Sequence, residues 1–262
     1  MRLGPIGGVR SGQKHRSCVM PGKGIQIMTQ TPATDLAALR KRQPNESNAY
    51  GDARRDLLAA EIDLQRNIDS VSKMRRSLPD GPLIEKDYRF KNMNGSDVGL
   101  ADLFGEHDTL ITYFWMYGPD RDRPCPMCTN LLGPLDANAQ DLMQRVALAV
   151  LGRSTIERQL AFAQERGWRA LKIFQTVGDQ YALDYGGLDP ETGSEWPVLA
   201  VFRKTGAGEE AKVKLFWKGE MTGQMADKGK DPRGGPDFSP LWNALDLTPA
   251  GRGTGWYPKL YY

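Results

Sequence analysis

The sequence predicts an α/β fold: a mixed sheet flanked by helices, with an N-terminal helical extension. Three observations lead to this. An amphipathic helical stretch precedes residue 80, strand-sized apolar runs then alternate with helical stretches, and two late strand-sized runs are joined by a Gly-rich turn. Alternating strands and helices form parallel pairs through right-handed crossovers, whereas the late hairpin adds an antiparallel edge.

Length and composition restrict the classes of protein. The chain has 262 residues, 40% of them hydrophobic and 26% charged, which is typical of one enlarged globular domain. No run approaches the roughly 18 apolar residues of a membrane-spanning helix. The net charge is +3, but residues 1–34 hold five basic and no acidic residues, which leaves 30 basic against 32 acidic residues beyond them. A near-neutral body argues against nucleic-acid and membrane partners.

The N-terminal 80 residues divide into two predicted segments. Residues 1–50 are rich in Gly, Pro, Gln, Asn and Ser, which predicts a disordered basic tail. Residues 51–80 predict an amphipathic helix, because Leu57, Leu64 and Val71 recur every seven residues. The Pro- and Gly-rich segment 78–82 ends this helix. Its apolar face either packs on the following domain, clamps substrate or forms a homodimer through residues 52–78.

Residues 81–250 hold the predicted sheet. Residues 88–90 indicate a short strand, 100–104 a helical turn, and 109–116 and 146–151 two strands buried on both faces, with a helix over 125–145 between them. Ser154 and Glu157 form a predicted capping box for the next helix, which Gly167 ends. Three more strands are expected over 171–177, 197–203 and 212–217, and a last helix over 239–247. Residues 251–262 form an aromatic C-terminal tail that we expect to cover an edge of the core.

The cysteines indicate chemistry rather than disulfide scaffolding. There are three, of which Cys125 and Cys128 form a C-x-x-C, so a reducing cytoplasm is the expected location. Cys125 falls at a predicted helix start, where free backbone N–H groups and the helix dipole stabilise a thiolate. Cys128 lies one turn deeper on the same face. This spacing predicts an exposed attacking Cys125 and a shielded resolving Cys128.

Other uses of the pair have less support. A c-type haem site needs His after the second cysteine, where Thr129 stands. A structural zinc needs four ligands, and Cys18, His15 and His107 do not form a second ligand pair, so neither metal nor cofactor is expected. A peroxidatic cysteine also favours a helix start on an α/β sheet, but it follows a Thr or Ser at a spacing where Asp122 stands here.

Several motifs together resemble those of known proteins. The strand before C-x-x-C, the crossover after it and a proline opening a late strand resemble the thioredoxin superfamily. Five stretches across residues 52–260 more closely resemble the bacterial thioredoxin-like family called domain of unknown function 899: 100–105, 117–120, 125–128, 166–168 and 245–252. That family is described as predicted dithiol–disulfide oxidoreductases, so the resemblance implies a thioredoxin-like fold and this reaction class.

The resemblance also implies roles for individual residues. Cys125 would be the nucleophile, Cys128 the resolving thiol, and Pro197 a cis-proline beside them. The backbone of Trp196 would then pair with an extended substrate. The implied partners are a protein or small-molecule disulfide and a thiol reductant.

The sequence departs from thioredoxin at two points. Pro126 and Met127 stand between the cysteines, as in the C-P-x-C of glutaredoxins, and the strand before them lacks the buried carboxylate of thioredoxin. Tyr113 or a water would have to substitute in proton transfer. A non-catalytic thioredoxin-fold binding or chaperone-like module, with a redox-sensing C-x-x-C, is the alternative function.

Overall fold

The computed structural model describes residues 30–206, 208–220, 223–225, 227–228, 239–249, 253, 255 and 257–261. The first 29 residues of the predicted basic tail, with Cys18, fall outside these ranges. Contacts divide the chain into two units, the first ending at Ser72 and the second beginning at Lys73.

Two helices occupy the described part of the first unit. They are α1 (Ala33–Ala37) and α2 (Asn48–Arg76), the latter continuing into the second unit and beginning three residues before its predicted start. Arg40 and Glu46 form an ion pair of 2.6 Å in the connection between the helices. Leu57, Leu64 and Val71 are 43–59% exposed along α2. A homodimer through this helix stays a prediction.

The second unit is built on one mixed sheet. Its seven strands lie in the order β2-β1-β5-β4-β3-β6-β7. The strand bounds are β1 (Arg89–Lys91), β2 (Asp97–Gly99), β3 (Thr109–Phe114), β4 (Ala147–Gly152), β5 (Ile173–Thr176), β6 (Val198–Thr205) and β7 (Lys212–Lys218). The helices are α3 (Pro126–Leu142), α4 (Ile156–Glu165), α5 (Gln180–Tyr185) and α6 (Pro240–Asp246), with a 3₁₀ turn over Leu100–Phe104.

The pairing agrees with the predicted topology. Strands β3, β4 and β5 are parallel neighbours, each joined to the next through one helix, as right-handed crossovers require. Strand β6 returns antiparallel to β3, and β7 forms a hairpin with it. A positive φ of 77° at Gly206 makes the turn of that hairpin. The predicted α/β mixed sheet flanked by helices is therefore confirmed.

Strand β3 separates two buried clusters because its side chains alternate between the faces of the sheet. Leu110 and Phe114 join Phe90, Phe104 and Tyr185 on one face. Tyr113 joins the second cluster on the other face, where α3 and α4 contribute Leu132 and Phe162. All six residues of β4 are buried. Strands β3 and β4 are therefore the buried centre of the sheet, and the C-x-x-C helix is the next element after β3 in the chain.

The segment after α2 covers the outer edge of β7. The Leu215 N–H donates to the Pro82 carbonyl at 3.1 Å, the Ile84 N–H donates to the Val213 carbonyl at 2.9 Å, and Leu83 forms a bridge with Lys214. Gly81 lies so close to this edge that an added Cβ would stand 1.8 Å from the Leu215 carbonyl oxygen. The approach therefore requires glycine at this position.

We expect Gly81→Ala to lower the free energy of unfolding by about 1–3 kcal/mol, the usual cost of forcing an extra carbon into a packed site. Chemical denaturation monitored by tryptophan fluorescence measures the change. Gly133→Ala is the matched control, because the nearest atom to an added Cβ there is 4.0 Å away on Trp168. That helical change should stabilise by up to about 1 kcal/mol. Equal stability of the two variants would contradict the close approach at Gly81.

Four local features of the structure differ from the predictions. The hairpin strand β2 and the six-residue α5 were not predicted, and β5 is shorter than the expected 171–177. The capping prediction at Ser154 was wrong: Thr155 is the N-cap of α4, and its hydroxyl accepts from the Arg158 N–H. Ser154 is buried instead and its hydroxyl donates to the Gly118 carbonyl at 3.0 Å. The Ser154 hydroxyl therefore binds the loop before Cys125 and does not cap α4.

The C-terminal tail is described in part. Trp256 and Tyr262 fall outside the described residues, and Tyr257 and Tyr261 are 66% and 57% exposed. Leu260 packs against the cluster under α3 and α4, and its carbonyl accepts from Arg166 at 2.8 Å. Tyr261 contacts the domain as well, because its hydroxyl donates to Glu165 and the Arg123 guanidinium lies 5.1 Å from the centre of its ring. None of the helices in the described ranges is both long and apolar enough to cross a bilayer.

Candidate active site

The loop between β3 and α3 brings the cysteines to the C-terminal edge of the sheet. The Trp115 N–H donates to the Leu151 carbonyl at 2.7 Å, which extends the β3–β4 pairing by one residue. The Cys125 N–H then donates to the Met116 carbonyl at 3.0 Å. Cys125 is the N-cap of α3 and Pro126 occupies its first turn. Proline is favoured there because its missing N–H would have no helical partner.

The two thiols have different environments. Cys128 is 1% exposed, whereas Cys125 is half-buried, and no disulfide joins them. The Cys128 thiol donates a hydrogen bond to the Cys125 sulfur, and this bond is the main cause that lowers the pKa of Cys125 to about 6. The N–H groups of Cys128 and Met127 stabilise the thiolate further and Arg121 adds its charge, while burial acts in the opposite direction.

The second thiol is protected from ionisation. The hydrogen bond to Cys125 and burial both raise the pKa of Cys128 well above its ordinary value. Two donors act against this rise, the Tyr113 hydroxyl and the Met116 N–H. Tyr113 is itself buried and its own pKa is raised by burial, so it can donate to the Cys128 sulfur without acting as a base. A tyrosine hydroxyl therefore contacts the inner thiol from β3.

The register of β6 places Trp196 and Pro197 at the same sheet edge. Val198, the first residue of β6, pairs with Phe114, the last residue of β3. Trp196 and Pro197 come immediately before that pair, and the cysteine loop comes immediately after it. Both are exposed, Trp196 by 57%. The exposed Trp196 side chain therefore belongs to the same edge of the sheet as the half-buried Cys125 thiol.

Sequence reasoning missed three polar residues that hold this edge together. They are the buried Ser154, the buried Glu195 and Arg158 on α4. The Arg158 guanidinium donates to the Pro119 carbonyl at 3.2 Å and to the Arg121 carbonyl at 2.5 Å, and it lies 5.1 Å from the centre of the Tyr117 ring. No local pattern shows these contacts, because the partners in the cysteine loop are 36 to 77 positions away.

Within the described ranges the structure holds no cluster of metal-binding side chains. No group of three or more His, Cys, Asp or Glu residues is placed there to hold an ion. Two carboxylates from outside the cysteine loop pair with arginines: Glu195 with Arg121 and Arg153, and Glu165 with Arg123. The arrangement supplies one ionised and one protonated sulfur, which is the requirement of dithiol exchange.

Solved structures with similar folds are distant in sequence. A peroxidoxin, BcpB, from Mycobacterium tuberculosis is 15% identical, with 48% of this chain and 79% of that chain covered and a TM-score of 0.39. An exposed lipoprotein thioredoxin from Streptococcus pneumoniae is 14% identical over 48% and 87% of the two chains, with a TM-score of 0.35. A peroxiredoxin-like protein from Aquifex aeolicus is 13% identical over 54% and 75%, with a TM-score of 0.39.

Sequence comparisons give a match to a family but not to a curated protein. No curated protein matches the chain. The family described as bacterial protein of unknown function, DUF899, matches residues 40–262. Because this match spans most of the chain, the protein belongs to the DUF899 family.

Proposed function

We propose that this protein is a thiol–disulfide oxidoreductase whose Cys125/Cys128 dithiol reduces or exchanges substrate disulfides. The observation that carries the proposal is the contrast between the two sulfurs. Cys125 is half-buried with a pKa lowered to about 6, and Cys128 is buried with a raised pKa. At neutral pH the outer sulfur is a thiolate and the inner one keeps its proton. The thiolate is the form that attacks a disulfide.

The reaction proceeds in two exchanges. The Cys125 thiolate attacks one sulfur of the substrate disulfide, the S–S bond breaks, and the leaving sulfur takes up a proton. Cys128 then loses its proton and attacks the Cys125 sulfur of the mixed disulfide, which releases the second substrate thiol. The two electrons that reduce the substrate come from the dithiol, which becomes a disulfide. A thiol reductant restores it by the same exchange.

The surface beside the thiol supports a role for Trp196 and Pro197 in binding substrate. Both are exposed and follow directly on the sheet edge that holds Cys125. Substrate held here would bring its disulfide to the half-buried sulfur. A cytoplasmic location keeps the dithiol reduced and is part of this proposal.

Insulin reduction with dithiothreitol tests the proposal. Wild type should accelerate the appearance of insulin turbidity, and Cys125→Ser should reduce the rate to that of dithiothreitol alone, because an alcohol does not ionise near neutral pH. Cys18→Ser is the matched control and should retain the wild-type rate. Equal rates for wild type and Cys125→Ser would contradict the proposal and favour the non-catalytic binding module.

A further inference from the structure

Glu195 is the buried carboxylate nearest the candidate site, and it joins two segments of that site. It immediately precedes Trp196, and its side chain is 5% exposed. Its carboxylate accepts from the Gly118 N–H at 2.9 Å and from the Arg121 Nε at 3.1 Å, both in the loop that leads to Cys125. One side chain therefore connects the Trp196 segment with the cysteine loop.

A second arginine, Arg153, also binds the Glu195 carboxylate. Arg153, in the residues after β4, donates to Glu195 at 3.2 Å and to Asp179 at 2.8 Å. Its side chain is 12% exposed, whereas that of Asp179 is 50% exposed. A buried carboxylate that lacked such partners would be strongly unfavourable. Both arginines and the Gly118 amide thus supply the hydrogen-bond donors that this buried carboxylate requires.

Space around the carboxylate is limited on the loop side. A Cβ added to Gly118 would stand 2.4 Å from Glu195 Oε1, closer than any tolerated contact. The Ser154 hydroxyl and the Arg158 guanidinium hold the neighbouring carbonyls of Gly118 and Pro119. The loop is therefore constrained from α4 on one side and from Glu195 on the other.

We propose that Glu195 is a positioning residue that fixes the Trp196–Pro197 segment against the loop carrying Cys125. The inference rests on the proposed function and adds a residue to its substrate-binding step. Loss of the carboxylate frees both segments at once, because each is bonded to the same group. The main groups that stabilise the thiolate, the Cys128 thiol and the N–H groups of Cys128 and Met127, make no hydrogen bond to Glu195, and the smaller contribution is the charge of Arg121.

Hydrogen exchange on the full chain tests the connection without requiring activity. In Glu195→Gln, amides of 117–124 and 187–197 should exchange together about tenfold faster or more, since charged hydrogen bonds are lost from both segments. Gly118→Ala should produce the same joint change by displacing the carboxylate without altering any charge. Asp179→Asn is the matched control, because it removes a partner of Arg153 and leaves Glu195 in place.

Kinetics separate positioning from general damage. In Glu195→Gln the kcat/KM for insulin should fall about tenfold through a higher KM, because the substrate surface is no longer fixed. Alkylation of Cys125 by iodoacetamide at pH 7 should not slow, since removing a negative charge does not disfavour the thiolate.

Two results would overturn the inference: exchange that rises in only one segment, or an equal effect of Asp179→Asn. A joint rise in exchange, in a protein whose wild type leaves insulin intact, would instead retain the connection and reject the proposed function.

Discussion

Replacing Cys128 with serine is expected to stop the cycle after the first exchange and to lower insulin turnover by about a hundredfold or more. The inner thiol competes with external thiols through its proximity, and intramolecular groups reach effective concentrations far above those of millimolar reductants. A serine hydroxyl fills the same place but cannot attack a disulfide at neutral pH. The mixed disulfide on Cys125 should therefore accumulate.

The reagent 5,5′-dithiobis(2-nitrobenzoic acid) distinguishes the two sulfurs directly. In a Cys18→Ser background, the native dithiol should release two thionitrobenzoate ions, the second when Cys128 displaces the first adduct. Cys128→Ser should release one ion and retain one adduct, visible by mass spectrometry. Release of two ions without an adduct from Cys128→Ser would mean that another group resolves the disulfide.

The second large effect concerns the pH dependence of Cys125 alkylation. A pKa of about 6 predicts a rate that is half-maximal near pH 6 and level above pH 7. An ordinary thiol with a pKa of about 8.5 would be only about 3% ionised at pH 7. The alkylation rate of Cys125 at pH 7 should therefore be roughly 30-fold higher than the rate expected for a thiol with that small ionised fraction. Iodoacetamide kinetics from pH 4 to pH 10 measure the midpoint.

The cause of the low midpoint can be tested in the same assay. Because the Cys128 thiol is the main donor to the Cys125 sulfur, Cys128→Ala should move the midpoint to higher pH. Denatured protein should show a midpoint near the ordinary value, since the helix amides are lost with the fold. A native midpoint at or above 8.5 would remove the basis of the mechanism.

The long buried strands and the C-x-x-C helix were predictable because their signals are local. Thr109–Phe114 and Ala147–Gly152 are apolar runs with no charge, and each was located within two residues of its observed bounds. Cys125 was expected at a helix start, and it is the N-cap of α3. These features depend on neighbours in sequence, which composition and spacing reveal.

The missed features depend on distant partners. Glu195 is one charged residue in a polar loop, and nothing near it in sequence shows that Arg121 and Arg153 enclose it. Ser154 has the spacing of a capping residue, but Gly118 takes its hydroxyl. Strand β2 is three residues long and ends in glycine, so it has no period of its own and forms through β1.

The covered edge of β7 has a consequence beyond folding stability. Leu83 and its neighbours occupy backbone groups along β7, and the strand at the opposite border, β2, is only three residues long. Long unsatisfied strand borders recruit further chains and propagate fibrils. Within the described ranges neither border of the sheet offers a long template of this kind, so the two uncharged central strands, β3 and β4, are enclosed on both sides by strands that end the pairing.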